Sequence, residues 1–303
     1  MTAPRNVGAS VRARLLERAR AQRADFQVLL TRYVLERLLY RLSSSEHRDR
    51  FILKGAMLLA TWVETPFRAT RDLDLLGSGP SDVASIAEAF RAICSQAVPD
   101  DGVEFDARGL EAAPIREELK YGGVRVRTTA LIDRARIPVQ IDVGFGDAIT
   151  PDPSEIKYPV LLDAPAPWLK AYPIQTVVAE KFEAVTLRGI ANSRLKDFYD
   201  LYLIAQTYSL DPDVLAEAIR RTFERRGTAL PTAPPVGLTE AYAQAWATQW
   251  RAFLTRERMA AVPDALDEVI ATLRDYLMPL AARAHISAIG LGTPQQVNSR
   301  FPG

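Results

Sequence analysis

Two carboxylates one residue apart, Asp72 and Asp74, stand in the segment Thr70-Arg71-Asp72-Leu73-Asp74-Leu75-Leu76. In a strand, alternate side chains leave the same face. Asp72 and Asp74 therefore project together, and Leu73 and Leu75 point the other way. A hard cation such as Mg²⁺ is held through one or two carboxylates plus substrate phosphates, so this spacing suits a metal–nucleotide site. Upstream, Phe51-Ile52-Leu53-Lys54-Gly55-Ala56 reads as a strand ending in a turn that opens a helix. Such a turn offers backbone N–H groups to a phosphate. Downstream, Asp142 interrupts the apolar alternation of Val139, Ile141, Val143 and Phe145. A carboxylate inside such a strand is costly unless it is paired or bound to metal. On an adjacent strand Asp142 would complete a three-carboxylate set with Asp72 and Asp74 for two Mg²⁺ ions. The chemistry that needs this set beside a phosphate-binding turn is nucleotidyl transfer, in which a hydroxyl is activated and pyrophosphate leaves.

A second cluster lies further along. Glu180-Lys181 follows the apolar run Val177-Val178-Ala179, and Arg194-Leu195-Lys196-Asp197-Phe198-Tyr199-Asp200 comes soon after. Lys181 is placed to meet a triphosphate. Asp197 and Asp200 share one helix face, where Asp200 would either join the chemistry or pair with Lys196 at helical spacing.

The elements that carry these residues can be read from period and breakers. Residues 11–41 are helical with a break near Asp25. Strands are expected at 51–53, 71–76, 103–106, 123–132 and 137–145, the last two joined as a hairpin across 133–136. A helix is expected over 81–96. Prolines at 151, 153, 159, 165, 167 and 173 mark a domain junction. Helices are then expected at 174–188, 195–208, 212–226, 239–255 and 263–277, and 285–303 reads as a loose tail. The expectation is a mixed α/β domain over 1–165, an all-helical domain over 166–284 that completes the active-site cleft, and a tail over 285–303.

Bulk properties narrow the class. The chain has 303 residues, one cysteine (Cys94) and two histidines, His47 and His285, which excludes a disulfide framework and a zinc cluster. Net charge is +1, but the first fifty residues hold eleven arginines, and Arg220, Arg221, Arg225 and Arg226 form a second basic group. Either group can serve a phosphate backbone or be a solvated helix face. No apolar run is long enough to span a bilayer and no secretory leader is evident, so a cytoplasmic protein with no membrane partner is expected.

Together, Phe51–Leu59, Arg68–Leu75, Ile141–Asp147, Val178–Phe182 and Asn192–Leu201 resemble the AbiEii/AbiGii family, in the same order along the chain. These are nucleotidyltransferase-like toxins of bacterial type IV toxin–antitoxin and phage-defence systems. The resemblance implies a polymerase-β-like nucleotidyltransferase fold followed by helices, a cognate antitoxin, and transfer from NTP to RNA, notably to the 3′ end of tRNA, which blocks translation. It places Asp72 and Asp74 on the metal-binding acids, with Mg²⁺ or Mn²⁺ as cofactor, Lys181 on the family lysine and Asp197 on the aspartate of the Lys-Asp motif. Asp72, Asp74, Lys181 and Asp197 are then the catalytic set. Asp142 joins the metal or positions the attacking hydroxyl, and Lys54, Gly55, Ala56, Arg71 and Lys181 contact the nucleotide. The N-terminal arginines would carry the RNA. The superfamily usually has Gly-Ser at the phosphate turn and many relatives have Gly-Gly. Gly55-Ala56 supplies a backbone N–H there but no hydroxyl. Other readings are an NTP- or RNA-binding module without transfer, and nucleotidyl or phosphoryl transfer onto a protein hydroxyl such as one on the antitoxin.

Overall fold

The computed structural model describes residues 6–62, 70–115, 122–257, 259 and 261–290. The chain divides into two compact units, Met1–Asp147 with Asp152–Pro173, and Ala148–Pro151 with Ile174–Gly303.

The first unit opens with helices α1 (Val7–Gln22) and α2 (Phe26–Ser43). The break between them is chemical. Arg23 takes the left-handed conformation that ends α1, and the Asp25 carboxylate accepts from the N–H groups of Gln27 (2.7 Å) and Val28 (3.2 Å) to start α2. Then come β1 (Phe51–Lys54), a 3₁₀ turn over Gly55–Leu58, the short α3 (Leu59–Trp62), β2 (Asp72–Gly77) and α4 (Val83–Cys94), whose N-terminus is capped by Asp82. The strands β3 (Glu104–Phe105), β4 (Glu111–Ile115), β5 (Gly123–Ile132), β6 (Ala135–Phe145), β7 (Ser154–Lys157) and β8 (Trp168–Ala171) complete one mixed sheet. Its order is β3-β5-β6-β2-β1-β8-β7, and β4 also pairs with β5. β2 runs parallel to β6 and antiparallel to β1.

Burial alternates along the central strands. Leu53, Leu73, Leu75, Ile141, Val143, Val124 and Val126 are buried, and α2 and α4 pack against the sheet. The opposite face carries the polar residues between them. An ion pair is sealed under this layer. Glu36 and Arg37 are both fully buried, and Glu36 accepts from Arg37 Nη2 (2.8 Å) and from the Leu161 N–H (2.7 Å). Arg37 also donates to the Pro165 carbonyl (2.9 Å). Burial nevertheless pushes the Glu36 carboxyl up to about 7.

The second unit is helical: α5 (Ile174–Arg188), α6 (Leu195–Thr207), α7 (Pro212–Arg226), α8 (Glu240–Glu257) and α9 (Leu266–Gly290). α7 has an Asp211 cap, Pro212 at its first turn and left-handed Gly227 at its end.

Several boundaries differ from the sequence pattern. The proline-punctuated stretch after Pro151 supplies β7 and β8, which extend the sheet beyond β1. The β5–β6 turn is tighter than 133–136, because Ile132 already pairs with Ala135. α9 runs on to Gly290 through Pro279, past the 277 end that its apolar period suggested. Cys94 is buried, and that burial pushes its thiol up to about 12, as an inert core cysteine requires.

Candidate active site

The sheet register puts four charged residues in one row. Lys54 of β1 pairs with Asp74 of β2, Asp74 with Asp142 of β6, and Asp142 with Arg125 of β5. Paired residues on neighbouring strands present their side chains to the same face. The row therefore reads cation, carboxylate, carboxylate, cation. One step along β2, Asp72 pairs with Gln140, which pairs with Arg127. Asp72 and Asp74 are half-buried and alternate with the fully buried Leu73 and Leu75, the disposition their spacing predicts.

Gly55 explains how Asp74 fits. Its φ is +74°, in the left-handed region. A Cβ on Gly55 would lie 2.7 Å from both Cβ and Cγ of Asp74 and closer still to Oδ2. The turn backbone thus rests directly on the Asp74 carboxylate, and only a residue without a side chain can stand there. Gly55 opens the 3₁₀ turn, and Ala56, next in that turn, is largely buried.

The flanking cations are engaged. Lys54 Nζ forms an ion pair with Asp147 and lies 5.2 Å from the centre of the Tyr172 ring. Arg125 grips Asp142 bidentately, with Nε to Oδ1 at 2.8 Å and Nη2 to Oδ2 at 2.6 Å. Asp142 thus lies beside Asp74 as its sequence context suggested, yet its carboxylate is taken up by a guanidinium. Among the described residues no group of three or more His, Cys, Asp or Glu side chains is arranged to hold a metal ion. Asp72 and Asp74 are the pair whose donor chemistry fits Mg²⁺, which needs only one or two protein carboxylates. Arg71 is exposed just before β2, and Arg68 lies outside the described residues.

The second unit builds its own cluster. Lys181 Nζ, on α5, donates to Asp197 Oδ1 (2.6 Å) and Asp200 Oδ2 (2.8 Å), both from α6. Arg194 Nε sits 2.7 Å from Asp197 Oδ2. The contact is close enough for an ion pair although its angle does not make a hydrogen bond. Both carboxylates are essentially buried. Burial alone would raise the Asp197 carboxyl. The charges of Lys181 and Arg194 outweigh it and hold the group near 2. Asp200 therefore meets Lys181, and is not explained by a surface pair with Lys196.

A family model described as "Nucleotidyl transferase AbiEii toxin, Type IV TA system" matches residues 37–272. The chain belongs to this family. It is a nucleotidyltransferase, and membership implies a nucleotide substrate and an antitoxin partner. A mixed sheet followed by helices, as expected from the sequence, is the architecture of this AbiEii-family chain. Among solved structures it is similar to JHP933 from Helicobacter pylori, at 12% identity and a TM-score of 0.47 over 88% of this chain and 96% of that one. It is also similar to a putative nucleotidyltransferase from H. pylori, at 12% identity and a TM-score of 0.45 over 88% and 99% of the two chains. No curated protein matches it. No helix among the described residues is long and apolar enough to cross a membrane.

Four residues with no role assigned from the sequence also join these clusters: Arg125, Asp147 and Tyr172 around the acid row, and Arg194 beside Asp197. The basic groups noted in the sequence resolve differently. Arg37 and Arg41 are buried, and Arg41 is held by Asp101 and the Val103 carbonyl. Arg14 pairs with Asp163, Arg18 donates to the Leu161 carbonyl, and Arg48 pairs with Glu155. Arg220 and Arg221 are bound by Glu217, and Arg226 by Glu183 and Glu180. These arginines hold helices and loops together.

Proposed function

We propose that this chain transfers a nucleotide from an NTP to the 3′-hydroxyl of an RNA, with tRNA as the acceptor that the family resemblance favours, in a Mg²⁺-dependent reaction that arrests translation. The observation that carries this reading is the Lys54–Asp74–Asp142–Arg125 row with Gly55 seated on Asp74. It joins a backbone turn to a carboxylate pair within one sheet. Asp72 and Asp74 would hold Mg²⁺, which supplies charge neutralisation for the triphosphate when bound. The Gly55–Ala56 backbone, Lys54 and Arg71 contact the phosphates from the first unit. Arg125 fixes Asp142 next to Asp74, where it shapes the acid face. Lys181, fixed by its hydrogen bonds to Asp197 and Asp200, would be a further nucleotide contact in the second unit. In the transfer, the hydroxyl oxygen bonds to the α-phosphorus, the bond from that phosphorus to the bridging oxygen of the β-phosphate breaks, pyrophosphate departs and the hydroxyl proton passes to solvent.

The test incubates the protein with total tRNA, Mg²⁺ and NTPs labelled at the α- or the γ-phosphate. The α-label should enter tRNA and the γ-label should not, and Asp72→Ala should lower labelling by at least about 10²-fold. Equal labelling by Asp72→Ala removes the metal assignment. Entry of the γ-label, or label on protein in place of RNA, replaces the reading with phosphoryl transfer or a protein acceptor.

A further inference from the structure

Two cavities flank α8 within the helical unit. One, of about 780 Å³, is lined by Glu240, Asp264, Asp267 and Glu268 against Arg251 and Arg274, an excess of acid that repels phosphate. The other, of about 420 Å³, has the opposite character. Arg194, Lys196 and Arg256 line it together with Trp246, Gln249 and Phe253, and no acidic residue lines it among the described residues.

The aromatic wall is pre-built. Phe198 and Tyr242 stack with ring centres 4.9 Å apart at 20°, and Tyr242 and Trp246 continue the stack at 6.1 Å and 25°. The column is nearly parallel, and its last ring is half-buried at the cavity. Trp246 cannot swing freely, because its Nε1–H donates to the Ile190 carbonyl (2.9 Å). Arg194 is tethered through Nε to Asp197, and Arg256 Nε is 3.0 Å from Glu257, a solvent-exposed pair that contributes little. A fixed aromatic face with cations around it is the arrangement that binds unpaired bases and their phosphates. Within a duplex the bases are stacked on their neighbours, so it offers this site phosphates but few free base faces.

We infer that this cavity binds single-stranded RNA, with a base stacked in line with Trp246 and the adjoining phosphates held by Arg194, Lys196 and Arg256. This rests on the proposal that RNA is the acceptor, and supplies that acceptor with a strand-binding site in the helical unit. Arg194 serves both this cavity and Asp197. The strand site is therefore mechanically tied to the Lys181 cluster.

The experiment measures fluorescence anisotropy of a labelled single-stranded oligoribonucleotide and of a blunt RNA duplex of equal length, against the full chain. Trp246→Ala should weaken single-strand binding about tenfold, and Trp246→Phe should restore most of it. Lys196→Glu with Arg256→Glu, both at exposed positions, should weaken binding at least as much and flatten its salt dependence. Duplex binding should be indifferent to Trp246→Ala. Single-strand binding no tighter than duplex binding, or unchanged in the variants, overturns the inference. If the strand binds as expected but no NTP ever labels RNA, the acceptor reading fails and the cavity stands. If RNA is labelled equally by wild type, Trp246→Ala and the double charge reversal, the acceptor reading stands and the cavity fails.

Discussion

Replacing Gly55 by alanine tests the turn that sits on the acid pair. Two costs can be separated. A residue with a Cβ at φ +74° loses about 1–2 kcal/mol of backbone energy. The new Cβ would also stand 2.7 Å from Asp74 Cβ and Cγ, where ordinary contact begins at 3.4 Å. Either the turn or Asp74 must retreat by about 0.7 Å to clear Cβ and Cγ, the difference between 3.4 and 2.7 Å, and by more than that to clear Oδ2, which lies closer still. A displacement approaching 1 Å at a reacting centre can lower a rate by about 10²-fold. Gly79 provides the control, since its φ is +76° but a Cβ there meets nothing within 4 Å. Gly79→Ala should therefore show the backbone cost alone, a fall in Tm of a few degrees at about 2–4 °C per kcal/mol, with nucleotide transfer intact. Gly55→Ala should show a larger fall in Tm and a loss of transfer of about 10²-fold. Thermal unfolding followed by circular dichroism and initial rates of α-label incorporation measure both. If Gly55→Ala matches Gly79→Ala in stability and keeps full transfer, the turn does not position Asp74 and the reasoning is wrong.

Two other titratable groups give pH signatures. Asp197 ionises near 2 in the folded chain against 3.8 ordinarily, so it contributes about 2–3 kcal/mol of stability above pH 4 that is lost as pH falls toward 2. Asp197→Asn should be destabilised by at least that much at pH 7 and should flatten the acid limb of a urea-unfolding series. Retention of the limb would mean that other carboxylates set it. Glu36 has the opposite sign. Its folded value of about 7 lies above the ordinary 4.5, so its contribution is complete below pH 4.5 and is lost as pH rises to 7, by at most about 3 kcal/mol. Glu36→Gln should remove that slope from the stability–pH curve, and an unchanged slope would show that Arg37 and the Leu161 N–H keep Glu36 ionised throughout.

The fold was legible wherever period and caps agreed. α5, α7 and β5 have the limits that their apolar spacing gave, and α2 begins where Asp25 can cap it. The strands that went unread have physical reasons. β4, Glu111–Ile115, contains Pro114 and two alanines on a mostly exposed strand, which leaves no alternation to detect. β7 and β8 lie among prolines, where breakers mask short strands made by pairing with distant partners. The arginines of α2 misled through composition. Counting charge along a helix cannot distinguish Arg37, which is sealed against Glu36 and Pro165, from a residue facing solvent.

In the candidate site, the shared face of Asp72 and Asp74 was legible from spacing, and the place of Arg125 in the row was recoverable from register. Once the two-residue turn pairs Ile132 with Ala135, counting seven residues outward from each side brings Arg125 opposite Asp142. That pairing changes what Asp142 can do. Asp74 and Asp142 occupy neighbouring parallel strands, roughly 5 Å apart. At that separation and an effective dielectric of ~20, two carboxylates repel by about 3 kcal/mol. The row offsets this repulsion by placing Lys54 and Arg125 on the outer flanks. In the proposed transfer, Arg125 then competes for Asp142 with a metal held by Asp72 and Asp74. In that proposal, the bidentate grip on Asp142, at 2.6 and 2.8 Å, would set whether the carboxylate positions the acceptor hydroxyl or joins the cation. On this reading Arg125 is the residue through which the metal requirement of the transfer is set.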